Sequence, residues 1–145
     1  MKYLNTSRTR PVILASLPNL DLYKAVFTMA IVPACKELNA YYELAVDGTK
    51  NSRLDRKVKI QIENSDIIII DMTEPNLNTY GIAGWAKGIG KKIIFLHQYS
   101  KEVILPCVGI PGLSINFPCY IYEEDYETLS DFLIKEIGSA LTKPA

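Results

Sequence analysis

Residues 66–71 read Asp-Ile-Ile-Ile-Ile-Asp. Four consecutive β-branched side chains are stiff at χ1 and favour a pleated strand over a helix. The run has no polar alternation, so both faces of that strand must be buried. That is the situation of a central strand in a parallel sheet covered by helices on both sides. An isoleucine ribbon bounded by acids therefore points to an α/β fold before any other residue is considered.

The remaining patterns agree. Pro11–Leu17 and Lys92–Leu96 are short apolar runs of the same kind, Tyr41–Val46 is a further strand closed by Asp47-Gly48, and Cys119–Tyr122 is a weaker last one. Between them lie helix patterns. Asp21–Asn39 places Leu22, Ala25, Val26, Met29, Ala30, Ala34 and Leu38 on one side, with a kink expected at Pro33. A second helix is expected from a cap at Asn51 or Ser52 through Glu63, with Leu54, Val58, Ile60 and Ile62 inward. A third runs from Tyr80 to Ile89. The last spans Tyr126–Leu141, with Leu129, Phe132, Leu133, Ile137 and Leu141 inward. Strands alternating with helices predict a doubly wound, flavodoxin-like (Rossmannoid) parallel sheet of about five strands with helices on both faces.

Composition narrows the function classes. The 145 residues carry 16 Lys+Arg against 16 Asp+Glu, and 48% are hydrophobic. One domain spanning 1–145 is expected, with 1–10 as a flexible start. Zero net charge disfavours long nucleic acid as a partner but leaves single nucleotides open. No apolar run approaches the ~20 residues of a membrane helix, and the polar first ten residues lack the apolar stretch of a signal peptide. Cys35, Cys107 and Cys119 have no paired spacing, and His97 is the lone histidine. Neither a disulfide framework nor a metal site is expected, no cofactor is implied, and a reducing cytoplasm is the expected location.

In doubly wound sheets ligands bind beyond the carboxyl ends of the strands, where strand order reverses. With the first strand central, that rule sets Ala15-Ser16-Leu17-Pro18 beside Asp71-Met72-Thr73-Glu74. Polar residues concentrate there, through Asn76, Asn78, Thr79 and Tyr80. The first N–H groups of the following helix lack partners and favour polar or anionic ligands. Asp71 suits ribose hydroxyls, while Thr73, Asn76 and Asn78 offer short donors and acceptors. The plainer alternatives are a capping role for Asn78 or Thr79 and loop closure by Asp71. Ser16 is a ligand contact or a helix cap. Tyr80 and Trp85 either stack on a base or pack in the core.

Gly81, Gly84, Gly88 and Gly90 fit neither a Walker loop nor a dinucleotide fingerprint. Gly84 is expected to let its helix approach the sheet, and Gly88 or Gly90 to end it.

Ser65-Asp66-Ile67-Ile68-Ile69-Ile70-Asp71-Met72-Thr73, followed by Asn76-Leu77-Asn78, Gly84, Ala86 and Gly90-Lys91, resembles the nucleoside 2-deoxyribosyltransferase-like family, a relative of TIR-type NAD-cleaving domains. Leu14–Pro18 and Ile31–Leu38 resemble further family segments. The resemblance implies recognition of a nucleoside, nucleotide or NAD-like molecule and cleavage or exchange of its N-glycosidic bond. It also implies a site shared within a homo-oligomer, to which Asn116 would contribute. At the position of the family's nucleophilic glutamate this chain has Ile82, which cannot attack a sugar carbon. Two readings stay open. Asp71 or Glu74, or Asp47 after the second strand, supplies a carboxylate, or the domain binds its ligand without reacting it. A third is a ligand-free interaction domain built on a tyrosine-rich surface. The candidate catalytic residues are thus Asp71 and Glu74. The candidate ligand contacts are Ser16, Asp47, Asp71, Thr73, Asn76, Asn78, Tyr80 and Asn116.

Overall fold

The structure, a computed structural model, describes residues 10–17, 20–45, 49–50, 53–74, 77–98 and 119–142. Strand β1 (Val12–Ser16) leads into helix α1 (Leu20–Val26), a π-helical turn (Phe27–Ile31), α2 (Val32–Glu37) and β2 (Tyr41–Leu44). A two-residue antiparallel ladder, β3 (Thr49–Lys50) with β4 (Arg53–Leu54), precedes α3 (Arg56–Glu63). Then come β5 (Ile67–Asp71), α4 (Leu77–Gly88), β6 (Lys92–Gln98), β7 (Cys119–Tyr122) and α5 (Tyr126–Thr142).

The five-stranded sheet runs β2-β1-β5-β6-β7, all parallel. This is the flavodoxin-like order, with its reversal point between β1 and β5. The isoleucine ribbon sits at the centre of the sheet, and all four residues are fully buried. Ile67 and Ile69 pack among Ala30, Ile31, Leu129 and Leu133 on the α1–α2–α5 side. Ile68 and Ile70 pack among Val58, Ile62, Ile82 and Ala86 on the α3–α4 side. Burying a side chain of this size contributes ~1.5–3 kcal/mol, so the ribbon anchors both layers.

Several expectations need correction. The first helix is broken before Pro33 rather than at it: Val32 N–H donates to the Phe27 carbonyl, five residues back. Pro33 has no N–H, and its ring crowds the carbonyl four residues earlier, which a wider turn relieves. The extra residue rotates the helix face, and Met29, expected inward, is 57% exposed. The second helix starts at Arg56, not near 51, because Leu54 is extended against α4, its Cδ1 close to Gly81. Val58 and Ile62 then share the buried face, and Ile60, half a turn away, is exposed. Helix α4 begins three residues before Tyr80, and β6 continues to Gln98. Leu141 is exposed where α5 has run past the start of β6, marked by Lys92 Nζ donating to the Ala140 carbonyl.

The glycines also exchange roles. Gly84 is exposed, with open space where a Cβ would stand, whereas Gly81 is the close approach. Gly90, at φ +79°, closes α4: Lys91 N–H donates to the Ala86 carbonyl and Gly90 N–H to that of Lys87. This is a Schellman ending. Asn39, at φ 54°, ends α2 the same way, through Ala40 to Cys35 and Asn39 to Lys36.

Candidate functional site at the carboxyl edge of the sheet

Strand β5 carries Asp71 to the carboxyl edge, one residue beyond Ile70. Asp71 follows the parity of Ile67 and Ile69 and so faces the α1–α5 side. It is fully buried. Its Oδ1 accepts hydrogen bonds from Thr73 N–H at 2.8 Å and from Thr73 Oγ1 at 2.5 Å. Its Oδ2 accepts one from Tyr122 Oη at 2.6 Å. Thr73 Oγ1 in turn accepts from Gln98 N–H at 2.8 Å. The turn after β5 is thereby tied to β6 and β7.

Burial pushes the Asp71 carboxyl above its ordinary value; the bonds from Thr73 and Tyr122 and the nearby His97 pull the other way. Burial, and then the Asp71 charge and its hydrogen bond, raise the Tyr122 phenol strongly. One residue along the turn, exposed Glu74 accepts a 3.0 Å hydrogen bond at Oε2 from Tyr23 Oη. Tyr23, on α1, is 5% exposed, and burial followed by its contact with Glu74 raises its phenol. Two carboxylates with opposite settings therefore lie three residues apart: Asp71 enclosed, Glu74 open to solvent.

Ser16 is buried at the end of β1, paired in register with Ile70. Ser16 and the Thr73–Glu74 turn thus flank the reversal point. Asn78 and Thr79 fall in the first turn of α4, Thr79 buried and Asn78 half-buried. Tyr80 is 47% exposed on that helix and packs in no core. Trp85 is half-buried, with Lys59 Nζ 4.6 Å from its ring centroid. Ile82 is fully buried in the cluster of Ile68 and Ile70, so the residue that the sequence resemblance sets at the nucleophile's place is part of the core. Asp47, Asn76 and Asn116 lie outside the described residues, as do residues 1–9 and 99–118. Among the described residues no group of three or more His, Cys, Asp or Glu could hold a metal ion, and no helix is long and apolar enough to cross a membrane. Cys35 is fully buried and its thiol is pushed up to about 12 by desolvation.

Tyr23 and Tyr122 were not among the sequence-derived candidates. The usable signal is chemical: a tyrosine buried in a helix or strand must find an acceptor for its hydroxyl, and the acids at 71 and 74 are the acceptors at this edge.

No family model matches the sequence, and no curated protein matches it. Solved structures do share the fold. A CheY-like response-regulator receiver domain from Methanospirillum hungatei JF-1 superposes with a TM-score of 0.59 at 14% identity, covering 91% of this chain and 98% of its own. A CMP N-glycosidase, BcmB, from Clostridium botulinum gives 0.58 at 20% identity, over 83% and 96%. The receiver domain of the Francisella response regulator 1452 gives 0.51 at 18%, over 88% and 99%. At these identities the likeness establishes the flavodoxin-like α/β fold.

Proposed function

We propose that this protein binds a nucleoside- or nucleotide-type small molecule at the carboxyl edge of β1 and β5, with Glu74 as the carboxylate that meets the sugar. The observation that carries this reading is the Tyr23–Glu74 hydrogen bond, which holds an exposed carboxylate beside the strand reversal point. Ser16, Thr73, Asn78 and Tyr80 are the described residues assigned to ligand contacts, with Asp47, Asn76 and Asn116 completing the set. Asp71 is given a positioning role, because its oxygens already accept from Thr73 and Tyr122. The sequence resemblance and the fold shared with a CMP N-glycosidase support the ligand class.

A second reading, cleavage of the ligand's N-glycosidic bond, is favoured by the same exposed carboxylate. Glycoside chemistry of this type uses a carboxylate toward the sugar and assistance to the leaving group. Ile82 supplies neither, so Glu74 carries the first task in this reading.

Both are tested by following the melting temperature during titration with cytidine, CMP, deoxynucleosides and NAD, and by assaying base release chromatographically. A ligand at a hundredfold over its Kd stabilises the fold by ~2.7 kcal/mol. An unchanged melting temperature with every compound contradicts the proposal. Binding without base release supports the first reading over the second.

A further inference from the structure

Three hydroxyls at the carboxyl edge of the sheet turn their protons inward, onto acids. Thr73 and Tyr122 donate to Asp71, and Tyr23 donates to Glu74. Burial raises the Tyr23 and Tyr122 phenols, so both stay protonated and remain donors. The Thr73 N–H is taken as well, by Asp71 Oδ1. Asp71 itself is enclosed, with both oxygens already accepting, and leaves a ligand nothing to bond.

Glu74 differs. It is exposed, and among the described residues its hydrogen bond is the one from Tyr23, at Oε2. A carboxylate has about four lone-pair sites, so about three stay open, spread over both oxygens. Beside it, Thr73 Oγ1 keeps only acceptor capacity, since its proton goes to Asp71 and one lone pair takes the Gln98 N–H. Across the reversal point Ser16 is 4% exposed, and its hydroxyl bonds to none of the described residues. A hydroxyl so buried costs free energy until a partner reaches it.

Such a locus is rich in open acceptors and poor in donors, and it suits a ligand that brings donors in pairs. We propose, resting on the reading that this edge binds a nucleoside-type molecule, that Glu74 accepts from both hydroxyls of a ribose 2′,3′-diol, so that the site selects ribonucleosides and ribonucleotides over their 2′-deoxy forms. Two adjacent hydroxyls present two protons to the two oxygens of one carboxylate, and hydrogen bonds to a carboxylate are about twice as strong as neutral ones. A 2′-deoxyribose, which the sequence resemblance alone would suggest, brings only one of the pair. Phosphate oxygens are acceptors and gain nothing at Glu74, so the selection applies to nucleosides and nucleotides alike.

The test is calorimetric titration of the wild type and Glu74→Gln with matched pairs: cytidine and 2′-deoxycytidine, CMP and dCMP, AMP and dAMP. The wild type should bind the ribo member of a pair at least about tenfold more tightly, because a site built to bond a hydroxyl rejects the analogue that lacks it. Glu74→Gln keeps one acceptor oxygen and should reduce the ratio to about threefold or less, mainly by weakening the ribo form. Equal binding of both members by the wild type, or a preference for the deoxy member, overturns the inference and leaves the nucleoside reading standing. A ribo preference undiminished in Glu74→Gln overturns the assignment to Glu74. Failure of every compound to bind overturns the nucleoside reading and this inference with it. Where a compound is cleaved, the same ratio is read from kcat/KM.

Discussion

Tyr122 Oη donates a 2.6 Å hydrogen bond to Asp71 Oδ2, joining the ends of two strands that have β6 between them. The bond fixes where the turn after the isoleucine ribbon leaves the sheet, and hence where Glu74 stands. Tyr122→Phe leaves the buried carboxylate one donor short. Leaving a buried acceptor without its donor costs ~1–3 kcal/mol, and urea unfolding should show a loss of that size. A loss below ~0.5 kcal/mol would mean that the turn is held by Thr73 alone.

Asp71 should also give the protein an unusual pH response. Its carboxyl is raised by burial in the native state. Between the ordinary value, 3.8, and the raised one, the native state keeps a proton that the unfolded state has released. Stability from this group therefore falls as pH rises through that interval, opposite to the behaviour of an ion-paired carboxylate. Urea unfolding of the wild type and Asp71→Asn from pH 4 upward should show the wild type losing stability relative to the variant. A difference that is independent of pH contradicts the assignment.

Gly84 inside α4 and Gly90 just past its end differ in setting and should respond oppositely to alanine. Gly84 is exposed and helical with open space around its missing Cβ. Gly84→Ala should stabilise by ~0.5–1 kcal/mol. Gly90 sits at φ +79°, where a Cβ costs ~1–2 kcal/mol. Thermal melts of both variants should shift in opposite directions, and parallel shifts would exclude the helix ending described above.

Much of this architecture was legible in the chain, because the signals were strong and local. Four β-branched residues without polar alternation could be satisfied only at the centre of a covered parallel sheet, and that is where Ile67–Ile70 lie. The reversal point between β1 and β5 followed from setting the first strand centrally as well, which the strand order bears out. What escaped was set by tertiary contact. The π-helical turn that exposes Met29 arises from a steric conflict that hydrophobic spacing does not encode. Leu54 reads as helical but is held extended by its contact at Gly81. Within the site, the acids at 71 and 74 were visible as a pair. Their opposite environments were not, because Tyr23 and Tyr122 each lie 51 residues along the chain from the acid they bond.

Glu74→Gln separates binding from folding. The side chain is exposed, so stability should change by less than ~0.5 kcal/mol. Nucleoside affinity, measured calorimetrically on the best ligand from the melting screen, should fall about tenfold, roughly 1.4 kcal/mol. Tyr23→Phe should weaken binding in the same direction by freeing the carboxylate. An affinity unchanged in both variants removes Glu74 from the ligand contacts.

The most direct measurement is amide chemical-shift mapping of the isotope-labelled protein during titration with CMP and cytidine. Shifts are predicted to concentrate at Ser16, Thr73, Glu74 and Asn78, with the strands' amino ends unaffected. Shifts confined to other surfaces, or none at millimolar ligand, would contradict a nucleoside site at the end of the isoleucine strand.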